Sequence, residues 1–323
     1  MNTVFPSVNI GNLQAPQLFE DPAAGATLLI EEDGSGQIAV SGVVGGAAVV
    51  AGRAGAAASD CPGCLSLAPL PAAQPDADYE EVAMQYSLAR RARNLLPDRI
   101  HPEILVIVDF WMFEKLKFDV ERSHKYVTAF FNAVNLRFQT ITAPRIELSI
   151  AGIVIAKSKK TLSYITKNIK KSSMLDAPTA LHDMGRYFYA ERAELPVYDM
   201  VVTLTGLDMA RKKAGKMSRA TSGYAYVGGA CVRNVYLKKI SSVALVEDSG
   251  GYSGVVVAAH ELGHLLGAVH DGDAAPAYLR GPGAASCPWS RGFIMSDLRR
   301  TARGQTWSDC SVKQVFFSRY FCT

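Results

Sequence analysis

The sequence predicts an α/β protein with a mostly parallel sheet, and three observations carry that reading. Apolar runs of strand length recur after residue 100. Segments with helical spacing separate them. A composition break near residue 93 sets this alternating part apart from a first part rich in Ala, Gly and Pro. At 49% hydrophobic, 20% charged and 9% aromatic, the chain is not a collagen, a coiled coil or a wholly disordered tail.

Taken in order, residues 26–32 and 37–40 flank the turn Asp33-Gly-Ser-Gly and read as a hairpin. Residues 42–75 are biased toward small side chains, so this stretch is expected to be loosely packed. Residues 103–109 form a continuous apolar run, a buried strand. Between 115 and 138, Leu116, Val120, Tyr126, Val127, Phe130, Phe131, Val134 and Phe138 fall at helical spacing. A long strand is predicted over 145–155, a helix over 178–193 and another strand over 198–205.

Charge divides the chain at the same place. Residues 1–93 hold four basic and ten acidic side chains, against 30 basic and 20 acidic in the remainder. The formal net charge of +4 is too small to argue for nucleic acid. The most apolar run, 38–58, is a Gly/Ala mixture broken by Arg53, so no membrane span is expected. Arg90-Arg-Ala-Arg93 stands at the boundary. It reads either as a solvated basic turn or as an Arg-x-x-Arg processing site, cut after Arg93 by a subtilisin-like convertase of the secretory pathway. On the second reading 1–93 is a propeptide and 94–323 a catalytic domain.

Residues 260–271 read His-Glu-Leu-Gly-His-Leu-Leu-Gly-Ala-Val-His-Asp. On a helix, His260 and His264 share one face, one turn apart. Gly267 permits a sharp bend, since glycine reaches φ > 0 without penalty. The bend brings His270 round as a third ligand. Three neutral imidazoles with an open position make a catalytic rather than a structural zinc arrangement. Glu261, beside the ligands, is the expected general base. Three of the six histidines fall within the eleven residues 260–270, with Glu and Gly at set offsets, and chance does not readily produce that pattern.

HExxHxxGxxHD resembles the metzincin zinc endopeptidases, and the Asp after the third His resembles their adamalysin (reprolysin, ADAM-like) branch. Phe293-Ile-Met295-Ser resembles the family's Met-turn. Tyr224-Ala-Tyr-Val-Gly-Gly-Ala-Cys231 resembles the strand lining its substrate cleft. Val246-Glu-Asp248, Tyr252-Ser-Gly and Trp307-Ser-Asp-Cys310-Ser match further elements in order. The likeness covers about residues 100–323 and is closest in look to arthropod venom or tick salivary metalloproteases.

The resemblance implies a metzincin catalytic fold: a twisted five-stranded mixed sheet with helices and a small C-terminal subdomain, the active helix running through 255–266. It implies zinc on His260, His264 and His270, Glu261 as base, Met295 as the floor of the site and Asp271 as a structural residue. Tyr224, Ala225, Tyr226, Val227 and Gly228 would pair with an antiparallel substrate strand. A structural Ca2+ is implied at Glu103 and Asp199 with the carbonyl of Cys322.

There are six cysteines, and no second CxxC accompanies Cys61-Pro-Gly-Cys64. Spacing alone leaves three connectivities among Cys231, Cys287, Cys310 and Cys322. The resemblance favours Cys231–Cys322 and Cys287–Cys310, and disulfides would place the chain in an oxidising compartment. No signal peptide is visible at the N-terminus, so a precursor starting upstream is expected. Cys61 and Cys64 read as a local disulfide or as a thiolate switch on the zinc. The expectation is a secreted zinc endopeptidase made as a zymogen, monomeric, acting on extracellular proteins. The alternatives are a catalytically weak toxin or binding module that keeps a zinc site, and a zinc hydrolase of another class.

Overall fold

The computed structural model describes residues 17–21, 25–32, 38–44, 47–53, 66–69, 78–81, 99–170, 173–213, 215–296 and 302–318. The N-terminal part forms an antiparallel five-stranded meander: β1 (Gln17–Asp21), β2 (Ala26–Glu32), β3 (Ile38–Val44), β4 (Ala47–Arg53) and β5 (Ser66–Pro69). The hairpin read from the sequence is β2–β3, registered Ala26 to Val44 and Glu32 to Ile38. This hairpin docks on α2 (Val120–Phe138). Leu29 and Val43 join the main hydrophobic cluster, which also takes in Tyr126, Val127 and Phe130 of α2. Lys125 pairs with Glu31 at 3.3 Å. The hydroxyls of Ser41 and Tyr252 lie 3.3 Å apart.

The rest is built on a mixed sheet in the order β8-β7-β9-β11-β10-β6. Its members are β6 (Tyr79–Glu81), β7 (Glu103–Val108), β8 (Ser149–Ile155), β9 (Met200–Thr205), β10 (Gly223–Val227) and β11 (Val243–Glu247). Strands β8, β7, β9 and β11 run parallel, β10 runs antiparallel to β11, and β6 runs parallel to β10. Five of these strands match the sheet that the resemblance implies. The sixth, β6, comes from the N-terminal 93 residues. The central strands are buried on both faces, and their sequences are accordingly continuous apolar runs such as Ile-Leu-Val-Ile-Val at 104–108.

The helix read over 115–138 begins only at Val120, and a separate short helix ends at Lys115. Asp109 caps α1 (Phe110–Lys115), and Asp119 caps α2 by accepting from the Arg122 amide at 3.0 Å. Lys117 and Phe118 between them take positive φ, which ends the first helix. Asp109 is buried and accepts from the Met112 amide (2.6 Å), the Gly206 amide (3.1 Å) and the Thr205 hydroxyl (2.6 Å). Burial still pushes its carboxyl up to about 6. Helix α3 (Ala177–Glu191) covers one side of the sheet. The active helix α4 (Val255–Leu265) is buried along its whole length, as a helix apolar on nearly every side must be. α5 (Asp309–Ser318) closes the C-terminal part. Among the described residues, no helix is long and apolar enough to cross a membrane.

Candidate metal centre and cleft

The last turn of α4 and the bend after it assemble the candidate site. Gly267 sits at φ 100°, where a side chain would be strained. The Gly267 amide donates to the His264 carbonyl at 2.8 Å and the Ala268 amide to the Gly263 carbonyl at 2.9 Å. This paired closure ends the helix and turns the chain back toward its own histidines. The Gly228 and Ala230 amides bond the carbonyls of His264 (2.7 Å) and Leu265 (3.0 Å), so the loop after β10 holds the same helix end.

The imidazoles of His260, His264 and His270 are buried and converge on one point. Their Nε2 atoms form a triangle with sides of 3.0, 3.1 and 3.3 Å. Nδ1 of His260 lies 2.8 Å from the Ile294 carbonyl, and Nδ1 of His264 lies 2.8 Å from the Ala268 carbonyl. A carbonyl only accepts, so both Nδ1 atoms carry the hydrogen and each Nε2 presents a lone pair inward. Burial lowers the His264 imidazole to about 4, which keeps that ring neutral near pH 7. Two buried lone pairs and a third imidazole nitrogen converging within 3.3 Å of one another call for a cation. Tetrahedral ligation with Zn–N of about 2.0–2.1 Å sets ligand nitrogens ~3.3 Å apart, close to the observed triangle. The donor set therefore fits zinc, the metal that the family described below implies.

The surroundings fix these rings. Met295 is fully buried in a short 3-10 turn, Ile294–Ser296, whose Ile294 carbonyl meets His260. The Asp271 amide donates to the Met295 carbonyl at 3.2 Å, and its Oδ1 accepts from the Ser308 hydroxyl at 2.6 Å. Asp271 thus ties the His270 loop to the Met295 turn and to the start of α5. A Cys287–Cys310 disulfide ties the loop between His270 and the Met295 turn to α5. Glu261 points to the other side, against the start of β10, where a side chain on Gly223 would collide with its carboxylate.

Not every residue singled out in the sequence lies here. Tyr224 to Val227 form β10 as expected, but its outer edge is paired: Ala225 with Tyr79, Tyr226 with Glu80 and Val227 with Glu81. Gly228 follows at φ 67°. Asp199 accepts from the Glu103 amide at 2.9 Å, away from the histidines. Cys231 is disulfide-bonded. Its expected partner Cys322, the pair Cys61 and Cys64, and Arg90 and Arg93 lie outside the described residues.

One residue at the centre was missed by sequence reasoning. Asp78, immediately before β6, brings its carboxylate onto the histidine triangle. Oδ1 lies 2.8 Å from His270 Nε2 and 3.3 Å from His264 Nε2, and Oδ2 lies 3.3 Å from His260 Nε2. The ring of Tyr79 packs on His264 and His270, with centroids 4.9 and 5.2 Å away. Among the described residues, Asp78 and the three histidines are the only His/Cys/Asp/Glu cluster of metal-binding geometry.

A mixed sheet over a buried helix, with two histidines on the helix and a third past a glycine bend, defines a metallopeptidase catalytic domain of metzincin type. Residues 124–271 match the Metallo-peptidase family M12B, Reprolysin-like, so this part of the chain is a metallopeptidase domain of that kind. A Bombyx mori protein described as "A disintegrin and metalloproteinase with thrombospondin motifs like" is 49% identical over 225 residues, covering 69% of this chain and 32% of that protein. Venom metalloproteinase 3 of Eulophus pennicornis is 36% identical over 179 residues, covering 54% of this chain and 40% of its own. Venom metalloproteinase BumaMPs1 of Olivierus martensii is 28% identical over 317 residues, covering 96% and 75%. The chain thus spans about a third of the silkworm relative and two fifths of the Eulophus one.

Proposed function

We propose that the protein is a zinc-dependent endopeptidase, made as a zymogen and secreted, that cleaves extracellular proteins. The single observation that carries this is the buried triangle of His260, His264 and His270 Nε2 atoms, each within 3.3 Å of the others, with Glu261 next in sequence. When bound there, zinc acidifies a water molecule and polarises the carbonyl to be attacked.

The chain's own residues do the rest. The edge of β10, Tyr224 to Gly228, offers backbone groups to an extended peptide laid antiparallel along it. Glu261 takes the proton from the attacking water and passes it to the leaving amine, so it must hold its carboxylate against that water. Gly223 leaves room for that carboxylate beside the strand. The Ile294 and Ala268 carbonyls hold the rings of His260 and His264, and the bonds of Asp271 brace the loop that carries His270.

In this reading residues 1–93 are the propeptide, a convertase cuts after Arg93, and 94–323 remain as the catalytic domain. Venom names among the relatives support secretion. The test measures zinc content and peptide-library cleavage on the processed protein together. A chelator should abolish cleavage and added zinc restore it. Glu261→Ala should keep one zinc per chain and lose roughly 10²–10⁴-fold in rate. Cleavage by Glu261→Ala at the wild-type rate would end the assignment.

A further inference from the structure

We propose that Asp78 is the latency ligand of this enzyme. In the uncleaved chain its carboxylate takes the remaining position around the ion held by His260, His264 and His270, while β6 occupies the cleft. The inference rests on the zinc reading above and extends it to regulation.

Three independent observations meet at this residue. First, both carboxylate oxygens face the triangle, at 2.8–3.3 Å from all three Nε2 atoms. His260 and His264 have already committed their Nδ1 hydrogens to carbonyls, so their contacts with Asp78 are between lone pairs and a carboxylate. A shared divalent ion turns this repulsive arrangement into a coordination shell of three nitrogens and one oxygen. Second, the residue is delivered by a built strand. The Ala225 amide donates to the Asp78 carbonyl at 3.3 Å, and β6 continues the pairing through Glu81. The Tyr224 hydroxyl donates to Glu80 Oε1 at 3.1 Å, and the Tyr79 ring covers two of the ligands. Third, the strand runs the wrong way for cleavage. A substrate on this edge is expected antiparallel, and β6 is parallel. Reversing the chain exchanges the acyl and amine sides of every peptide bond, so the leaving nitrogen would not face the side where Glu261 delivers its proton. The segment is held like a substrate and is not cut as one.

The hairpin β2–β3 reinforces this from outside the cleft. It seats Leu29 and Val43 against α2 and places Ser41 beside Tyr252, just before the active helix. Latency therefore combines one ligand at the centre with a second foothold elsewhere.

The experiment uses the full chain with Arg93→Ala added to every variant, so that all stay uncleaved, and Co2+ as the bound metal. The readouts are metal stoichiometry, the visible spectrum of bound Co2+, the affinity for acetohydroxamate and the basal cleavage of a peptide library. Asp78→Ala should keep one ion per chain, change the Co2+ spectrum, and bind acetohydroxamate on the order of 10²-fold more tightly than the parent. Basal cleavage should rise with it. Asp78→Asn, which keeps the shape of the side chain, should shift the same readouts in the same direction. Glu81→Ala, a change at an exposed neighbour, should leave them at the parent's values. The proposal is overturned if Asp78→Ala and Asp78→Asn bind Co2+ with an unchanged spectrum and unchanged hydroxamate affinity, or if Glu81→Ala reproduces their effect. If the parent binds no metal at all, the zinc reading itself falls, and this inference with it.

Discussion

The two walls of the metal centre are built in opposite ways. On one side, three ligands come from eleven consecutive residues of a wholly buried helix and its bend. Carbonyls at Ile294 and Ala268 lock two of the rings, and Asp271 and a disulfide brace the loop behind them. On the other side, Asp78 arrives from 186 positions before His264, just ahead of a three-residue strand at the edge of the sheet. On the latency proposed for Asp78, the first wall would stay and the second would leave, because a latch as well rooted as the three histidines would not release.

Substitutions on each wall sharpen the contrast. The largest effect is expected at Gly223→Ala. Its new methyl group would strike the Glu261 carboxylate and also Val257 of the buried helix, neither of which has free space to yield. The processed protein should lose about 100-fold in kcat/KM with its zinc content unchanged, since misplacing a reacting group by a small distance costs about that factor. Unchanged kcat/KM would show that Glu261 is placed by something other than this strand.

Next comes Val43→Ala on the N-terminal hairpin, where a fully buried side chain packs in the cluster shared with α2. Removing two methyl groups costs roughly 2 kcal/mol. Hydrogen exchange should quicken in β2 and β3 and stay slow in α4. A uniform rise across both would mean that the two parts open as one unit.

The smallest effect concerns Glu247 at the end of β11. Burial raises its carboxyl to about 7, although the Met209 amide donates to it at 2.8 Å. The folded state therefore holds a proton there that the unfolded state, with its value near 4.5, has already released. Stability from this group is full below about 4.5 and falls as pH rises toward 7. Glu247→Gln should flatten that decline by about 1 kcal/mol, read from thermal melts at pH 5 and pH 7.5. An equal slope in the variant would remove Glu247 from the account.

How much could be read from the sequence follows the same division. The strands at 103–108 and 200–205 and the active helix were legible because burial on all sides writes continuous apolar runs. His260, His264, Gly267 and His270 were legible because one helix turn and one bend convert linear spacing directly into geometry. The break between α1 and α2 was less visible. It depends on the cap at Asp119 and on positive φ at Lys117 and Phe118, neither residue type being a usual marker of a stop. Asp78 was not legible at all. It stands among Asp76, Glu80 and Glu81 in a short acidic run, and nothing in the spacing separates it from them. Only the pairing of β6 with β10, fixed by long-range contacts, sets it apart.

The parallel strand and the docked hairpin lie on one stretch of chain, and this has a consequence for timing. Before a cut after Arg93, rebinding of that stretch is an event within one molecule and is indifferent to how much protein is present. After the cut the same footholds persist, but a fragment that lets go has solvent to wander in, and its return obeys mass action. Severing the tether therefore need not by itself switch the enzyme on. At high protein concentration the fragment would keep reoccupying its seat, and activity would emerge on dilution into a larger volume.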